Sequence, residues 1–244
     1  MNIVGSVDAY TVKKSLASLT LNWNTKHVPV PSVVNSKPSP KPALYFFDVP
    51  GATQSQIRIG KLALKATDDD FFKAKIANYK LGSGGFASKL LQVLRNEKGY
   101  TYHVDGYFAG NQYSGWYEIQ TAVETNVTSE SIVEIFKILD SYSESFSPDD
   151  LADTKSFFIR SRMRYFESQS DKLRFLESLS ELDFQPNFME EQITTIRAMH
   201  GEDVVSVIDK YLDPKDMMIL VVGDKQTQLE KLEKLPFGKP VLLN

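Results

Sequence analysis

Arg95 and Tyr102 are the residues of this sequence whose types and spacing best suit chemistry. An Arg toward the end of one helix and a Tyr at the start of the adjoining strand can converge on one small anionic or carbonyl group. The guanidinium offers a rigid fork of N–H donors and the phenol a single O–H. A snorkelling Arg beside a core Tyr with a satisfied hydroxyl fits the same spacing. A second candidate is the stretch LGSGGFASKL at 81–90, where Gly82, Ser83, Gly84 and Gly85 lead into a helix and could cradle a phosphate on backbone N–H groups. It lacks both the GK[ST] ending of a nucleotide loop and the GxGxxG spacing after a strand, so a flexible helix-to-helix connection or tight packing of backbone on backbone accounts for it better. Asp68, Asp69 and Asp70 could hold a hard cation, yet acidic residues at a helix start already favour the helix dipole. His27, His103 and His200 are isolated, neither HxxEH nor HxxxH occurs, and there is no Cys to act as thiolate ligand or nucleophile. No metal site is expected within the chain.

The elements that must hold these residues can be read from periodicity. Arg95 lies four residues after Leu91, on the flank of a helix whose apolar face carries Leu90, Leu91 and Leu94. A turn at Gly99 leads into a strand in which Tyr102 is expected in phase with Val104 and Phe108. Residues 100–109 and 114–124 alternate as an antiparallel hairpin, with Tyr117, Ile119 and Val123 sharing one side. Upstream, 44–49 and 54–64 read as strands separated by Pro50-Gly51, and a helix capped by Thr67 or Asp68 should run to about Leu81, stopped by Gly82. Ser147-Pro148-Asp149-Asp150 is a helix start, further helices cover about 151–167, 170–182, 188–198 and 202–212, and a strand returns at 217–222. Strand pairs, a run of helices and a returning strand predict an α+β fold, a mainly antiparallel sheet covered by helices on one face.

The 244 residues carry 28 Lys+Arg against 31 Asp+Glu, a formal net charge of −3 that excludes a general nucleic-acid binder. Hydrophobic residues make up 42% of the chain, enough for a sizeable core, and no apolar run reaches the ~20 residues of a membrane span. The opening residues lack the basic start and apolar stretch of a signal peptide, although this carries no weight if the chain is a fragment. Residues 29–42 hold five of the eleven prolines, placing a Pro-rich linker over 25–43. Ahead of it, IVGSVDAYTVKKSLASL at 3–19 echoes VVGDKQTQLEKLEKL at 221–235, with Gly5 and Gly223 lying 218 residues apart, a domain's length. Residues 1–24 are therefore expected to be the strand-plus-helix tail of a preceding similar domain, with one whole domain over 44–244.

Three ordered segments, PGATQSQIRIG (50–60), LGSGGFASKLLQVLRNEKGYTYHV (81–104) and DVVSVIDKYLDPKDMMILVVGD (203–224), resemble the second-domain module of the M16 metallopeptidases, the pitrilysin, insulinase and mitochondrial processing peptidase family. The resemblance covers essentially the whole chain and implies the M16/LuxS-like metallohydrolase fold, built from tandem similar domains. It further implies that zinc, held by an inverted HxxEH motif and a downstream Glu, belongs to a partner domain or subunit, with no cofactor in this chain. The family's Arg/Tyr pair, seven residues apart, contacts the substrate carbonyl and stabilises the tetrahedral intermediate; Arg95 and Tyr102 match it. Gly82–Gly85 matches the family's glycine-rich turn, while Lys89 stands where Arg is common and Tyr100 where Leu is common. The expected function is the substrate-contacting, zinc-free domain of a peptide-cleaving enzyme, this chain alone being inactive. The alternatives are a catalytically inactive assembly subunit of the same fold and an α+β anion-binding module. Expected partners are a zinc-bearing M16 half and a peptide substrate, with a homodimer also compatible. Bacterial periplasm and cytoplasm both remain open, the absence of Cys leaning toward the periplasm.

Overall fold

A computed structural model describes residues 1–24, 26–29 and 43–244. Its sheet contains β1 (Leu44–Asp48), β2 (Gln54–Ala63), β3 (Thr101–Gly110), β4 (Gly115–Glu124), β5 (Met218–Gly223) and β6 (Val241–Leu242), in the order β3-β4-β2-β5-β1-β6. Alternation decides which side of each strand is covered. Ser55, Ile57 and Ile59 of β2, Tyr117, Ile119 and Val123 of β4, and Ile219 and Val221 of β5 point to one buried face. Their neighbours Gln54, Gln56, Arg58, Trp116, Glu118, Met218 and Leu220 leave the other face open.

The helices are α1 (Ala9–Ser15), α2 (Ala17–Asn22), α3 (Phe71–Asn78), α4 (Lys89–Leu91), α5 (Thr128–Ser145), α6 (Pro148–Ser161), α7 (Gln169–Leu182), α8 (Phe188–Ala198), α9 (Gly201–Tyr211) and α10 (Lys225–Leu232). Ile76 of α3, Leu90 of α4, Ile132 and Ile135 of α5, and Val204 of α9 are fully buried in the same cluster as the sheet's apolar face. Each such side chain contributes about 1.5–3 kcal/mol of burial. The expected α6 start holds: Ser147 and Asp150 cap each other's backbone, with Pro148 in the first turn.

The sheet is mainly antiparallel, as expected, with a parallel edge. β3, β4, β2 and β5 pair antiparallel, whereas β1 lies parallel to both β5 and β6. Pro50-Gly51 therefore closes no hairpin, because β5 inserts between β1 and β2. The junction is tied by side chains far away in sequence: Gly51 N–H donates to Asp224 Oδ1 at 3.0 Å, and Lys225 N–H donates to Asp48 Oδ1 at 2.9 Å. The two-residue β6 has no periodicity to betray it.

Two expected boundaries shift. The helix expected from Thr67 or Asp68 begins only at Phe71, because Asp68 instead closes a turn, its carboxylate accepting from Lys65 N–H at 2.8 Å and its carbonyl from Phe71 N–H at 2.9 Å. At its other end α3 runs into a wider π-helical turn, Tyr79–Ser83, rather than stopping at Leu81. In the leading segment α1 and α2 form, α1 capped by Asp8 at 2.8 Å from Thr11 N–H, but the strand expected before them does not. A strand needs a neighbour to satisfy its backbone, and no β-ladder reaches residues 1–8. The segment lies at the surface, where Ser180 Oγ donates to Asn2 Oδ1 at 3.2 Å. Most of the expected linker over 25–43 falls outside the described residues.

Candidate functional site

α4 continues as a second π-helical turn, Gln92–Glu97, anchored inward by Leu91 and Leu94. Such insertions re-aim side chains and recur at functional sites. Here the turn carries Arg95 to the surface. Gly99, at φ +67°, then reverses the chain, with Gly99 N–H donating to Arg95 O at 3.1 Å and Tyr100 N–H to Leu94 O at 2.8 Å.

β3 opens with an irregularity that overturns the expected phase of Tyr102. Thr101 pairs with Val123 and Val104 with Thr121, so β3 spends one residue more than β4 between these pairs. Buried hydroxyls stabilise this bulge. Thr101 Oγ1 lies 2.6 Å from Ala122 O, 2.8 Å from His103 O and 2.9 Å from Thr121 Oγ1. Thr101, Val104 and Phe108 consequently share the buried face, while Tyr102 turns outward and is 81% exposed. It does not pack beside Val104 and Phe108.

Outward, the Tyr102 ring meets Arg95. The guanidinium carbon sits 4.6 Å from the Tyr102 ring centroid and 5.2 Å from that of Phe86, a residue 70% exposed in the glycine-rich loop. Each stack is worth about 0.5–1 kcal/mol at an exposed site. Neither the Arg95 guanidinium nor the Tyr102 hydroxyl has a hydrogen-bond or ion-pair partner among the described residues. Their donors are held in place and free.

Beside them the open face of the sheet forms a cleft of about 620 Å³, into which Tyr102 and His103 project with Gln54, Gln56, Gln120 and Glu124. Amide side chains of this kind can donate and accept at once, as a peptide backbone requires. Asp105, opposite Gln120 in the ladder, has its carboxyl pKa raised by burial, an effect that nearby His103 opposes.

The loop 82–85 divides in two. At Gly82 an added Cβ would lie 2.6 Å from Gly106 Cα, and at Gly84 it would lie 2.6 Å from Tyr79 O, so both are backbone packed on backbone. The contact is locked by Asn78, whose Nδ2 donates to Gly106 O at 2.6 Å while its Oδ1 accepts from the buried Tyr117 hydroxyl at 3.0 Å. Ser83 and Gly85 are exposed, Gly85 at φ +57° with open space around it, and together they present Phe86. Phe86 was not anticipated. An apolar ring directly after two glycines is the signal that could have revealed it.

Asp70 is engaged rather than free, accepting from Lys73 at 2.9 Å, Lys210 at 3.1 Å and the Tyr211 hydroxyl at 2.8 Å. These partners hold its carboxyl well below the usual range. Among the described residues no group of three or more His, Asp or Glu is arranged to hold a metal ion.

A family model described as the peptidase M16 inactive domain matches residues 2–158. A curated protein of Helicobacter pylori (strain ATCC 700392 / 26695), named non-peptidase homolog YmxG, is 25% identical over 169 residues, 67% of this chain and 38% of that protein. The crystal structure of a protease from Helicobacter pylori superposes with a TM-score of 0.79 at 15% identity, over 90% of this chain and 54% of that one. The peptidase M16 inactive domain from Pseudomonas fluorescens superposes at 0.73 with 20% identity, over 82% of this chain and 48% of that one. The chain thus spans well under half of the curated relative and about half of these solved chains.

Proposed function

Because this chain belongs to the peptidase M16 family, as its inactive domain, we propose that it is the zinc-free, substrate-contacting half of a two-part peptidase. Residues 44–244 form that half, and residues 1–24 are the end of a preceding similar domain. The supporting observation is the pair of unengaged donors, Arg95 stacked on Tyr102, at the edge of an amide-lined cleft on the open sheet face.

In this reading an extended peptide lies along the cleft, its backbone bonded by Gln54, Gln56 and Gln120. The Arg95 N–H groups and the Tyr102 O–H donate to the scissile carbonyl oxygen, and both bonds strengthen as that oxygen gains negative charge. The partner half contributes the zinc and general base that activate water. The exposed loop Ser83–Gly85, with Phe86, borders the closing partner.

The name of the Helicobacter pylori relative, a non-peptidase homologue, favours a second reading, an assembly subunit of the same fold without catalytic duty. Co-expression with an HxxEH-bearing M16 half of the same genome separates the two. Cleavage of a fluorogenic peptide by the pair, absent from each half alone, supports the first; a stable complex without cleavage supports the second.

A further inference from the structure

Lys75 and Arg162 are two cations in one aromatic cavity with no carboxylate between them. The cavity, of about 280 Å³, opens between α3, the segment following α6, α7 and the start of α8, and shares no residue with the cleft beside Tyr102. Arg162 is stacked from several sides, its guanidinium carbon 4.8 Å from the Phe72 ring centroid, 5.6 Å from Tyr165 and 6.0 Å from Phe158. Lys75 Nζ lies 4.6 Å from the Phe71 ring centroid. Of the five guanidinium N–H groups only one finds an acceptor among the described residues, the Tyr165 hydroxyl at 3.3 Å from Nη1. Neither cation has a carboxylate within ion-pair distance among the described residues. Lys75 stays accessible to solvent, as a cavity-lining side chain does, yet crowding by protein and the nearby Arg162 charge both lower its pKa, and burial lowers that of Arg162.

Elsewhere among the described residues Lys80 meets Asp153 and Asp150 and Lys210 meets Asp70, while Lys61 and Lys89, without an ion pair, donate to the Asp213 and Ser145 carbonyls. An unmatched pair of like charges among rings costs desolvation and mutual repulsion that stacking only partly offsets. The arrangement lacks one negative charge and an apolar body to fill the space between the rings. We propose that this cavity binds a small monocarboxylate with an aromatic or short aliphatic body, its carboxylate between Lys75 and Arg162 and its body against Phe158, Phe175 and Phe188. The volume lies just under the roughly 300–1,000 Å³ of drug-sized pockets, which suits a small acid rather than a folded partner.

Isothermal titration of the full 244-residue chain with phenylbutyrate and hexanoate tests this, with phenylbutyramide as the uncharged isostere and inorganic phosphate as the anion without a body. The expected result is saturable one-to-one binding of at least one acid, weakened roughly tenfold or more in the amide and in Lys75→Met, as loss of a charge-assisted contact implies. Methyl resonances of Met189 and Leu182 should shift with the acid. Arg162→Met should weaken binding similarly; because Arg162 also props the rings, the Lys75 variant and the amide decide the question if that variant does not fold. Absence of saturable binding by both acids, equal binding of the amide, indifference to Lys75→Met, or tighter binding of phosphate than of either acid would each overturn the proposal.

Discussion

Arg95, Tyr102 and Phe86 form a minimal device: an unpaired guanidinium held by two rings and a phenol whose hydroxyl is left free. Stacking and donation can be separated by mutation. In the two-part enzyme proposed above, Tyr102→Phe would retain the ring on Arg95 and remove only the O–H, and Arg95→Ala would remove both. Loss of one aligned oxyanion donor typically costs ~10²–10³ in turnover. Both variants should fall into that range in kcat/KM, with the double variant losing less than the product of the two because they share one oxygen. Phe86→Ala should lower turnover less, since it only orients Arg95. None should lower the stability of the chain by more than ~2 kcal/mol, the two exposed cation–π contacts of Arg95 at their upper value. Turnover within twofold of wild type in both single variants, with the complex intact, would favour the assembly-subunit reading.

At the scale of elements, two junctions carry the geometry. The first is the crossing of the Tyr79–Ser83 turn over β3, where the chains touch backbone to backbone. Gly82→Ala should destabilise the protein by about 3 kcal/mol, the upper end of overpacking costs, because the neighbour is the Gly106 main chain and cannot yield. Gly85→Ala, in open space but at positive φ, should cost about 1 kcal/mol from left-handed strain alone. Urea midpoints of the two variants measure the difference, and equal losses would contradict the packing described. The second junction ties the start of α3 to α9 through Asp70, Lys210 and Tyr211. The folded-state pKa of Asp70 lies below its ordinary value, so its contribution is fully present above the unfolded value of about 3.9 and is lost as pH falls through the folded one. The stability gap between wild type and Asp70→Asn should therefore be constant from neutrality to about pH 5 and narrow below about pH 4. A gap that widened on acidification would refute the assignment.

The whole molecule is a one-sided layer. Helices bury one face of the sheet, while Phe47, Leu62, Trp116 and Met218 remain substantially exposed on the other, Trp116 by 40%. An apolar sheet face left to water is a surface awaiting cover. If the zinc-bearing half closes over this face, Trp116 fluorescence should shift to the blue on mixing, read in a Trp23→Phe background because the chain has two Trp. An unchanged spectrum in a complex proven by sedimentation would place the interface elsewhere.

Local physics made much of this legible in advance. The family resemblance, not local pattern, supplied the seven-residue interval from Arg95 to Tyr102; period-two alternation located the β3–β4 hairpin and capping residues located α6. Those signals act within a few residues, where side-chain direction follows from backbone period alone. Tertiary structure decided the rest. The insertion of β5 between β1 and β2 depends on hydrogen bonds spanning 173 and 177 residues. The outward turn of Tyr102 depends on a bulge stabilised by the Thr121 hydroxyl of the neighbouring strand. The two π-helical turns accommodate packing that no helical periodicity encodes. A single extra residue opposite β4 reverses which face a side chain occupies, and its energetic reason lies on another strand, beyond the reach of any local pattern.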